Sequence, residues 1–195
     1  SGNEEAVSEI LRKELEKHTD EMCVDKLGNV LFYHNGKDKY PKVMLSAHTD
    51  EVGFITTFIE ETGFLRIDVL GGVTNNVIPG QRILFRGEKG YIRGVVGTKP
   101  PHIMTPEELN KLIPKEDLFI DIGADNLKQA QKKGADVGMI GVFDVEFTDL
   151  GNGYYWGKAF DDRAGCTVLA EAFKALKNSP CNVVAVGSVQ EELGI

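Results

Sequence analysis

Apolar positions follow helical spacing at the start of the chain and form strand-like runs after it. Apolar residues that recur every three or four positions predict an amphipathic helix over residues 4–18. They are Val7, Ile10, Leu11 and Leu15. Longer apolar runs predict buried strands at 42–47 and 52–59, and shorter strand patterns lie at 23–24 and 29–33. This part of the sequence therefore predicts one helix followed by several strands.

The pattern changes after about residue 63, where glycine-rich turns begin to separate short strands. Strand patterns lie at residues 81–85, 90–96 and 146–150. Helices are predicted at 105–112, with Thr105 as the N-cap, and at 126–133, which ends before Gly134. Short strands joined by turns are typical of a small β-rich unit.

Longer helical spacing returns after residue 153. Residues 164–176 carry an apolar stripe that predicts a strong amphipathic helix, and the Val-rich run 182–189 predicts a buried strand. We therefore expect an α/β domain formed by residues 1–63 and 154–195, interrupted by a β-rich insertion at residues 64–153.

The charge of the chain limits its partners. It has 22 basic and 30 acidic residues, a net charge of -8, and lacks the basic clusters that bind phosphate backbones. We therefore expect no nucleic-acid partner. Since the chain has no apolar stretch of about 18 residues, we expect no membrane-spanning segment and no membrane partner.

The cysteines indicate the redox setting. Cys23, Cys166 and Cys181 are odd in number and widely spaced, and they form neither a CxxC metal motif nor a disulfide framework. This favours a reducing, cytoplasmic location, with Cys166 and Cys181 as small buried hydrophobic residues. The chain starts with neither a signal-peptide pattern nor Met, so we expect residues to precede Ser1 in the natural protein.

The first candidate for chemistry is the segment His48-Thr49-Asp50, which follows a predicted buried strand. Functional groups of α/β proteins collect at strand ends. A histidine that binds a metal usually donates its second ring N–H to a carboxylate, and Asp50 is placed for this role if the backbone bends after the strand. A polar turn that contains a histidine and an acid explains the same residues.

The second candidate is Asp161-Asp162-Arg163, at the start of a predicted helix. Two acids at this position fit an N-cap and a favourable partner for the helix dipole. Alternatively, Asp161 bridges two metal ions through its two oxygens, with Asp162 or Arg163 as structural support.

The third candidate is the pair Glu191-Glu192, which follows the Val-rich strand. If the chain turns there, both carboxylates reach one site, where one binds a metal and the other acts as a general base. A solvated acidic loop is the alternative.

The three candidates together are more specific than any one of them, because each lies at the end of an α/β element. Imidazole and carboxylate ligands suit zinc, cobalt or manganese better than they suit metals that select thiols. A water held between two metal ions is acidified and activated for hydrolysis.

The motifs resemble those of the M42 metallopeptidases in order and in spacing. The matching segments are AHTDEVG (47–53), PGQRI (79–83), KPPH (99–102), FIDIGAD (119–125), GKAFDDRAG (157–165) and VQEELG (189–194). They extend over essentially the whole chain. The resemblance implies an α/β fold, in which a mixed-sheet co-catalytic metallopeptidase domain, incomplete here, is interrupted by a β-rich dimerisation domain.

The resemblance also implies roles for five residues. His48 resembles a terminal metal ligand, Asp161 resembles the carboxylate that bridges both metals, and Glu192 resembles a ligand of one metal. Asp50 resembles the acid that orients His48, and Glu191 resembles the general base. The implied cofactors are two divalent metal ions, zinc or cobalt, per full-length subunit.

A further Asp and a further His of the family's ligand set lie beyond the strand at 182–189 and have no counterpart before Ile195. We therefore expect this chain to be a truncated form that binds metal weakly and is inactive. The full-length protein is expected to remove N-terminal residues from short peptides, as a homo-oligomer in which dimers build a dodecamer.

Two other functions remain open. The first is another metal-dependent hydrolase, such as a deacylase or dipeptidase, or an endoglucanase, the activity ascribed to some relatives. The second is a non-catalytic scaffold that assembles through the β-rich insertion.

Overall fold

A computed structural model describes residues 1–194 of the chain. The helices α1–α4 span Glu5–Leu15, Pro106–Leu109, Leu127–Lys132 and Phe160–Ala175. The strands β1–β12 span Glu21–Val24, Val30–His34, Lys42–His48, Gly53–Ile59, Leu65–Leu70, Arg82–Gly87, Gly90–Gly97, Phe119–Asp121, Ile140–Phe143, Thr148–Gly151, Tyr154–Trp156 and Asn182–Ser188. Two compact units are present, which we call the α/β unit (residues 1–51 and the segment from Ala159 onward) and the barrel unit (residues 52–158).

The α/β unit is built on a four-stranded sheet with the strand order β1-β2-β12-β3. Strand β2 pairs antiparallel with both β1 and β12, whereas β12 and β3 run parallel, with Ser188 opposite His48. The sheet is therefore mixed, and the predicted α/β fold with a mixed sheet is confirmed. Since parallel strands end at the same edge, the residues that follow β3 and β12 meet there.

Helices α1 and α4 cover this sheet through a shared apolar core. On α4, Cys166, Leu169, Ala170 and Phe173 are buried because their spacing places them on one side of the helix. The same core includes Leu11, Leu15, Val30, Phe32, Ala47, Val183 and Ala185. Burial of each large apolar side chain contributes about 1.5–3 kcal/mol, so this core fixes α4 on the sheet.

The barrel unit contains a closed six-stranded barrel with the order β4-β5-β8-β7-β6-β9, in which all neighbours are antiparallel. Alternate residues of β7 point inward, so Ile92, Gly94 and Val96 are buried while their neighbours are exposed. The interior is filled by apolar side chains that include Phe54, Leu65, Ile83, Phe85 and Ile120.

The unit boundaries differ from the predicted ones at 63/64 and 153/154. They lie at 51/52 and 158/159, because β4 pairs with β5 and β9 and so belongs to the barrel. An apolar run such as residues 52–59 suits a strand in either unit, and its pattern alone does not assign it to one of them.

Several local predictions can be compared with the structure. Thr105 forms the N-cap of α2, where it accepts the Glu108 N–H at 3.2 Å, but this helix has one turn and ends at Leu109 rather than at 112. Helix α1 ends at Leu15 rather than at 18. Cys166 is buried as predicted, whereas Cys181 is half-buried. Across residues 1–194, the structure contains no helix with the length and apolar character needed to cross a membrane.

Candidate functional site

The predicted site residues all lie in the α/β unit, at the edge where β3 and β12 end. His48 is the last residue of β3, and Asp50 follows it by two positions. Asp161 lies in the first turn of α4, and Glu191 and Glu192 open a 3-10 turn just after β12. The fold therefore brings together residues from three separate parts of the sequence.

The imidazole of His48 faces two carboxylates. Its Nε2 atom lies 3.1 Å from Asp161 Oδ1 and 3.8 Å from Glu191 Oε2. The His48 side chain is 11% exposed, whereas those of Asp161 and Glu191 are 87% and 57% exposed. Burial by itself would lower the pKa of His48, but the hydrogen bond to Asp161 and the charges of Asp50 and Glu191 raise it above its ordinary value.

Asp50 lies beside the other ring nitrogen of His48. Its Oδ1 is 3.3 Å from His48 Nδ1, yet this buried nitrogen forms no hydrogen bond within residues 1–194. Asp50 accepts instead from the backbone N–H groups of Glu191 and Glu192, each at 3.1 Å, and from the Ser1 hydroxyl. The buried Asp50 carboxylate thus holds the turn that carries both glutamates, a contact that the sequence pattern did not predict.

Hydrogen bonds explain how Asp50 stays ionised in a buried place. Burial would raise the pKa of Asp50, but the hydrogen bonds from Ser1, Glu192 and Glu191 and the charge of His48 together lower it. Glu192 shows the opposite result, since burial and the charges of Asp50, Asp161 and Glu191 raise its pKa despite the attraction of His48.

The first turn of α4 is fastened to the backbone that follows β3. Asp161 and Asp162 have non-helical backbone angles, and the peptide bond between them is cis. The Arg163 guanidinium donates to Glu51 Oε1 at 2.9 Å and to the Thr49 carbonyl at 3.4 Å. The sequence offered Asp162 and Arg163 as structural support, but it did not indicate these partners.

The side chains fit part of a metal-binding site in their chemistry. Nitrogen from His48 faces oxygen from Asp161, and such mixed donors suit zinc or cobalt. Asp50 Oδ1 lies 3.3 Å from His48 Nδ1, close to the place of an acid that supports a ligand histidine, but the hydrogen bond of such a pair is not formed here. Within residues 1–194, however, no three His, Cys, Asp or Glu side chains are grouped so that they could hold an ion.

A family model, a curated relative and a solved structure all show that this chain is similar to aminopeptidases. The family described as M42 glutamyl aminopeptidase matches residues 28–195. Lysyl aminopeptidase of Pyrococcus furiosus is 36% identical over 90% of this chain and 51% of its own length. The structure of a TET aminopeptidase from the archaeon Thaumarchaeota archaeon SCGC AB-539-E09 is 42% identical and has a TM-score of 0.93, over 100% of this chain and 56% of that one.

Two further solved structures are also similar to this chain. Pyrococcus horikoshii TET1 peptidase, described as assembling into a tetrahedron or a large octahedral shell, is 33% identical with a TM-score of 0.85, over 100% of this chain and 58% of its own. An endoglucanase of Thermotoga maritima is 32% identical with a TM-score of 0.80, over 97% of this chain and 55% of its own. The chain thus spans about half the length of the curated relatives it matches.

Proposed function

Because the chain belongs to the M42 peptidase family, we propose that the full-length protein is a metal-dependent aminopeptidase that removes N-terminal residues from short peptides. The observation that carries this proposal is the position of His48 Nε2, 3.1 Å from Asp161 Oδ1 and 3.8 Å from Glu191 Oε2, at the common edge of two parallel strands. Ligands of α/β proteins bind at such an edge.

The family implies the use of divalent metal ions. We assign His48, Asp161 and Glu192 as ligands of two ions, zinc or cobalt, per full-length subunit, with Asp161 as the residue that bridges them. When bound, these ions would polarise the carbonyl of the substrate and lower the pKa of water. The assignment is supported by the donor types and by their common position at the edge of the sheet.

Glu191 is assigned as the general base. Its side chain is 57% exposed and lies beside His48, so it is accessible to a peptide and to water. In this role Glu191 takes a proton from the attacking water and passes it to the leaving amine. Asp50 positions this base, because it holds the backbone N–H of Glu191 at 3.1 Å.

The test uses the full-length protein, first made metal-free. We expect the full-length protein to release p-nitroaniline from amino-acid p-nitroanilides only after zinc or cobalt is added. Glu191→Gln should lower kcat by about 10²–10⁴-fold and keep the metal, whereas Glu192→Gln should lose metal affinity. Glu61→Gln, at an exposed turn of the barrel unit, is the matched acid-to-amide control.

The proposal fails if hydrolysis by the full-length protein is insensitive to a chelator. It also fails if Glu191→Gln and Glu192→Gln lose metal and turnover to the same extent. Cellulose hydrolysis that persists with the chelator would favour an endoglucanase, since glycosidases commonly use two carboxylates without a metal.

We extend the proposal to assembly and location. The 33% identity to TET1 supports a homo-oligomer, in which the barrel unit serves as the dimerisation domain and dimers build a dodecamer. Light scattering of the full-length protein would check the mass of the particle, and a monomer would contradict it. The free cysteines of the described chain support a reducing, cytoplasmic location.

A further inference from the structure

We propose that Asp162 is a positioning residue, which ties the backbone of His48 to the first turn of α4 and so sets the separation between His48 and Asp161. The inference rests on the proposed function to the extent that His48 and Asp161 are taken as metal ligands. The structural part of it concerns only the contacts of Asp162 and stands without a metal.

The Asp162 carboxylate connects two elements through two hydrogen bonds. Its Oδ2 accepts the backbone N–H of His48 at 3.3 Å, and its Oδ1 accepts the backbone N–H of Gly165 at 3.1 Å. Among the described residues, β3 pairs with β12, and the N–H of its last residue, His48, is bound by Asp162 of α4. This hydrogen bond therefore links the end of β3 directly to α4.

The space for this carboxylate depends on a glycine. A Cβ atom at position 165 would lie 2.1 Å from Asp162 Oδ1 and 2.6 Å from Oδ2, which is far inside van der Waals contact. The φ angle of Gly165 is not in the left-handed region, so the backbone does not require glycine there. Glycine at this position is thus explained by room for the Asp162 side chain.

A second side chain of α4 holds the other polar group of the same peptide unit. Cys166 Sγ donates to the carbonyl oxygen of His48 at 3.1 Å. Both backbone hydrogen-bonding groups of His48 are thus bound by the first turns of α4, and Asp161 precedes Asp162 in that turn. These hydrogen bonds therefore restrain the backbone of His48 relative to the turn that carries Asp161.

The arrangement differs from that of Arg163, which also joins these segments. Arg163 contacts Thr49 and Glu51, beyond His48, through a side chain that is 35% exposed. It fastens the loop, whereas Asp162 contacts the candidate ligand residue itself. Supporting contacts of this kind typically change metal affinity by 10–100-fold when they are removed.

Two variants test the role without a metal. Asp162→Asn keeps the size of the side chain but replaces one acceptor oxygen with a donor, and Gly165→Ala displaces the carboxylate without changing it. In the metal-free, ¹⁵N-labelled chain, we expect hydrogen exchange of the His48 amide to become at least tenfold faster in both. We also expect the His48 Nε2 resonance to move in the direction seen in Asp161→Asn. Glu171→Gln, farther along α4, is the matched control.

Cobalt binding provides the second readout. We expect Asp162→Asn to weaken Co²⁺ binding by about 10–100-fold and to alter the visible absorption band of the bound ion. A merely structural role would lower the unfolding midpoint but leave the His48 resonance and the Co²⁺ affinity of the folded chain unchanged, and this result would overturn the proposal. If one variant does not fold, the other decides.

The outcomes separate the two proposals. If the wild type binds Co²⁺ and Asp162→Asn binds it equally well, the positioning role is wrong and the proposed function is untouched. If the wild type binds no Co²⁺ and the full-length protein hydrolyses no peptide, the proposed function fails. In that case a shifted His48 resonance in both variants still supports the positioning role, and an unshifted one overturns it.

Discussion

His48 Nε2 lies 3.1 Å from Asp161 Oδ1, although the two residues are 113 positions apart in the chain. The residues of the barrel unit, 52–158, lie between them in the sequence. The site is therefore assembled from separate stretches of the chain and forms only when β3 and α4 pack together. Its geometry depends on the core beneath these elements as much as on the polar residues themselves.

Replacing the buried Asp50 carboxylate should destabilise the α/β unit. Asp50 accepts one backbone N–H from Glu191 and one from Glu192 on its two oxygens. In Asp50→Asn a single oxygen remains as an acceptor, and the new amide donor faces one of these two N–H groups. We expect a loss of about 1–3 kcal/mol in the free energy of unfolding, measured by urea denaturation. Asp38→Asn, in an exposed turn of the same unit, should change it by less than about 0.5 kcal/mol. Equal effects of the two variants would show that the Asp50 contacts do not stabilise the fold.

Shortening a buried side chain of α4 should lower the free energy of unfolding more than shortening an exposed one. Phe173 is fully buried, and its ring stacks on His34 with the ring centroids 3.9 Å apart. Phe173→Ala should therefore lower the free energy of unfolding by about 3–5 kcal/mol. Val168→Ala, on the same helix but 68% exposed, should cost less than about 0.5 kcal/mol. A small effect of Phe173→Ala in thermal unfolding would mean that α4 is not fixed by this core.

The buried thiol of Cys166 should make stability depend on pH in the alkaline range. Burial and the nearby Asp162 raise the pKa of Cys166 from its ordinary value of 9.0 to about 11. The raised pKa belongs to the folded state, whereas the thiol of the unfolded chain titrates at its ordinary value. The contribution of the protonated thiol to the free energy of unfolding is therefore complete below pH 9, and it is lost as the pH rises from 9 to about 11. The loss approaches about 1.4 kcal/mol per pH unit within that window.

The contribution of the Cys166 thiol is isolated by measuring the pH dependence of unfolding for the wild type and for Cys166→Ala. The free energy of unfolding of the wild type should fall relative to that of the variant as the pH rises from 9 to 11, because the variant has no thiol to titrate. Alkylation offers a second check, since the exposed Cys23 should react with iodoacetamide at pH 8 while Cys166 stays protected. A difference that does not change with pH would contradict the raised pKa.

Glycine at position 141 should be required by the packing of the barrel. A Cβ atom there would lie 2.6 Å from two ring carbons of Phe85 and 2.9 Å from Ile83. We expect Gly141→Ala to destabilise the barrel unit by about 1–3 kcal/mol, because the aromatic ring cannot move without disturbing its neighbours. Gly72→Ala is the matched control, since a Cβ at that position meets no atom within 4 Å. Calorimetry of the two variants would decide, and equal transitions would exclude overpacking at position 141.

The sequence predicted well those helices and strands whose apolar pattern fits only one kind of secondary structure. The buried residues of α4 follow helical spacing, and the run that became β12 is bounded by Pro180 before it and by Glu191 after it. Positions at the ends of these elements made His48, Asp161 and Glu191 candidates, and the structure places all three side by side. Periodicity and strand ends were therefore sufficient to bring these three residues forward as candidates, whereas their roles stay predictions.

The contacts between distant residues could not be predicted in the same way. The hydrogen bonds of Asp50 to the turn after β12 depend on the parallel pairing of β3 with β12, which no local pattern encodes. The same holds for β4, whose apolar run fits either unit and is assigned only by its partners β5 and β9. Non-local pairing, rather than propensity, determined each of these outcomes.

Closure of the barrel restricts how this unit can meet another molecule. Among the described residues, each of its six strands has a hydrogen-bonded neighbour on both sides, so none of them is an edge strand that a foreign strand could extend along its whole length. Side chains on the outside of the barrel, such as Phe58 and Tyr91, which are 59% and 73% exposed, are therefore expected to contribute most to its recognition of another molecule. Single substitutions at its surface can therefore alter association and leave the ladder of hydrogen bonds inside the barrel intact.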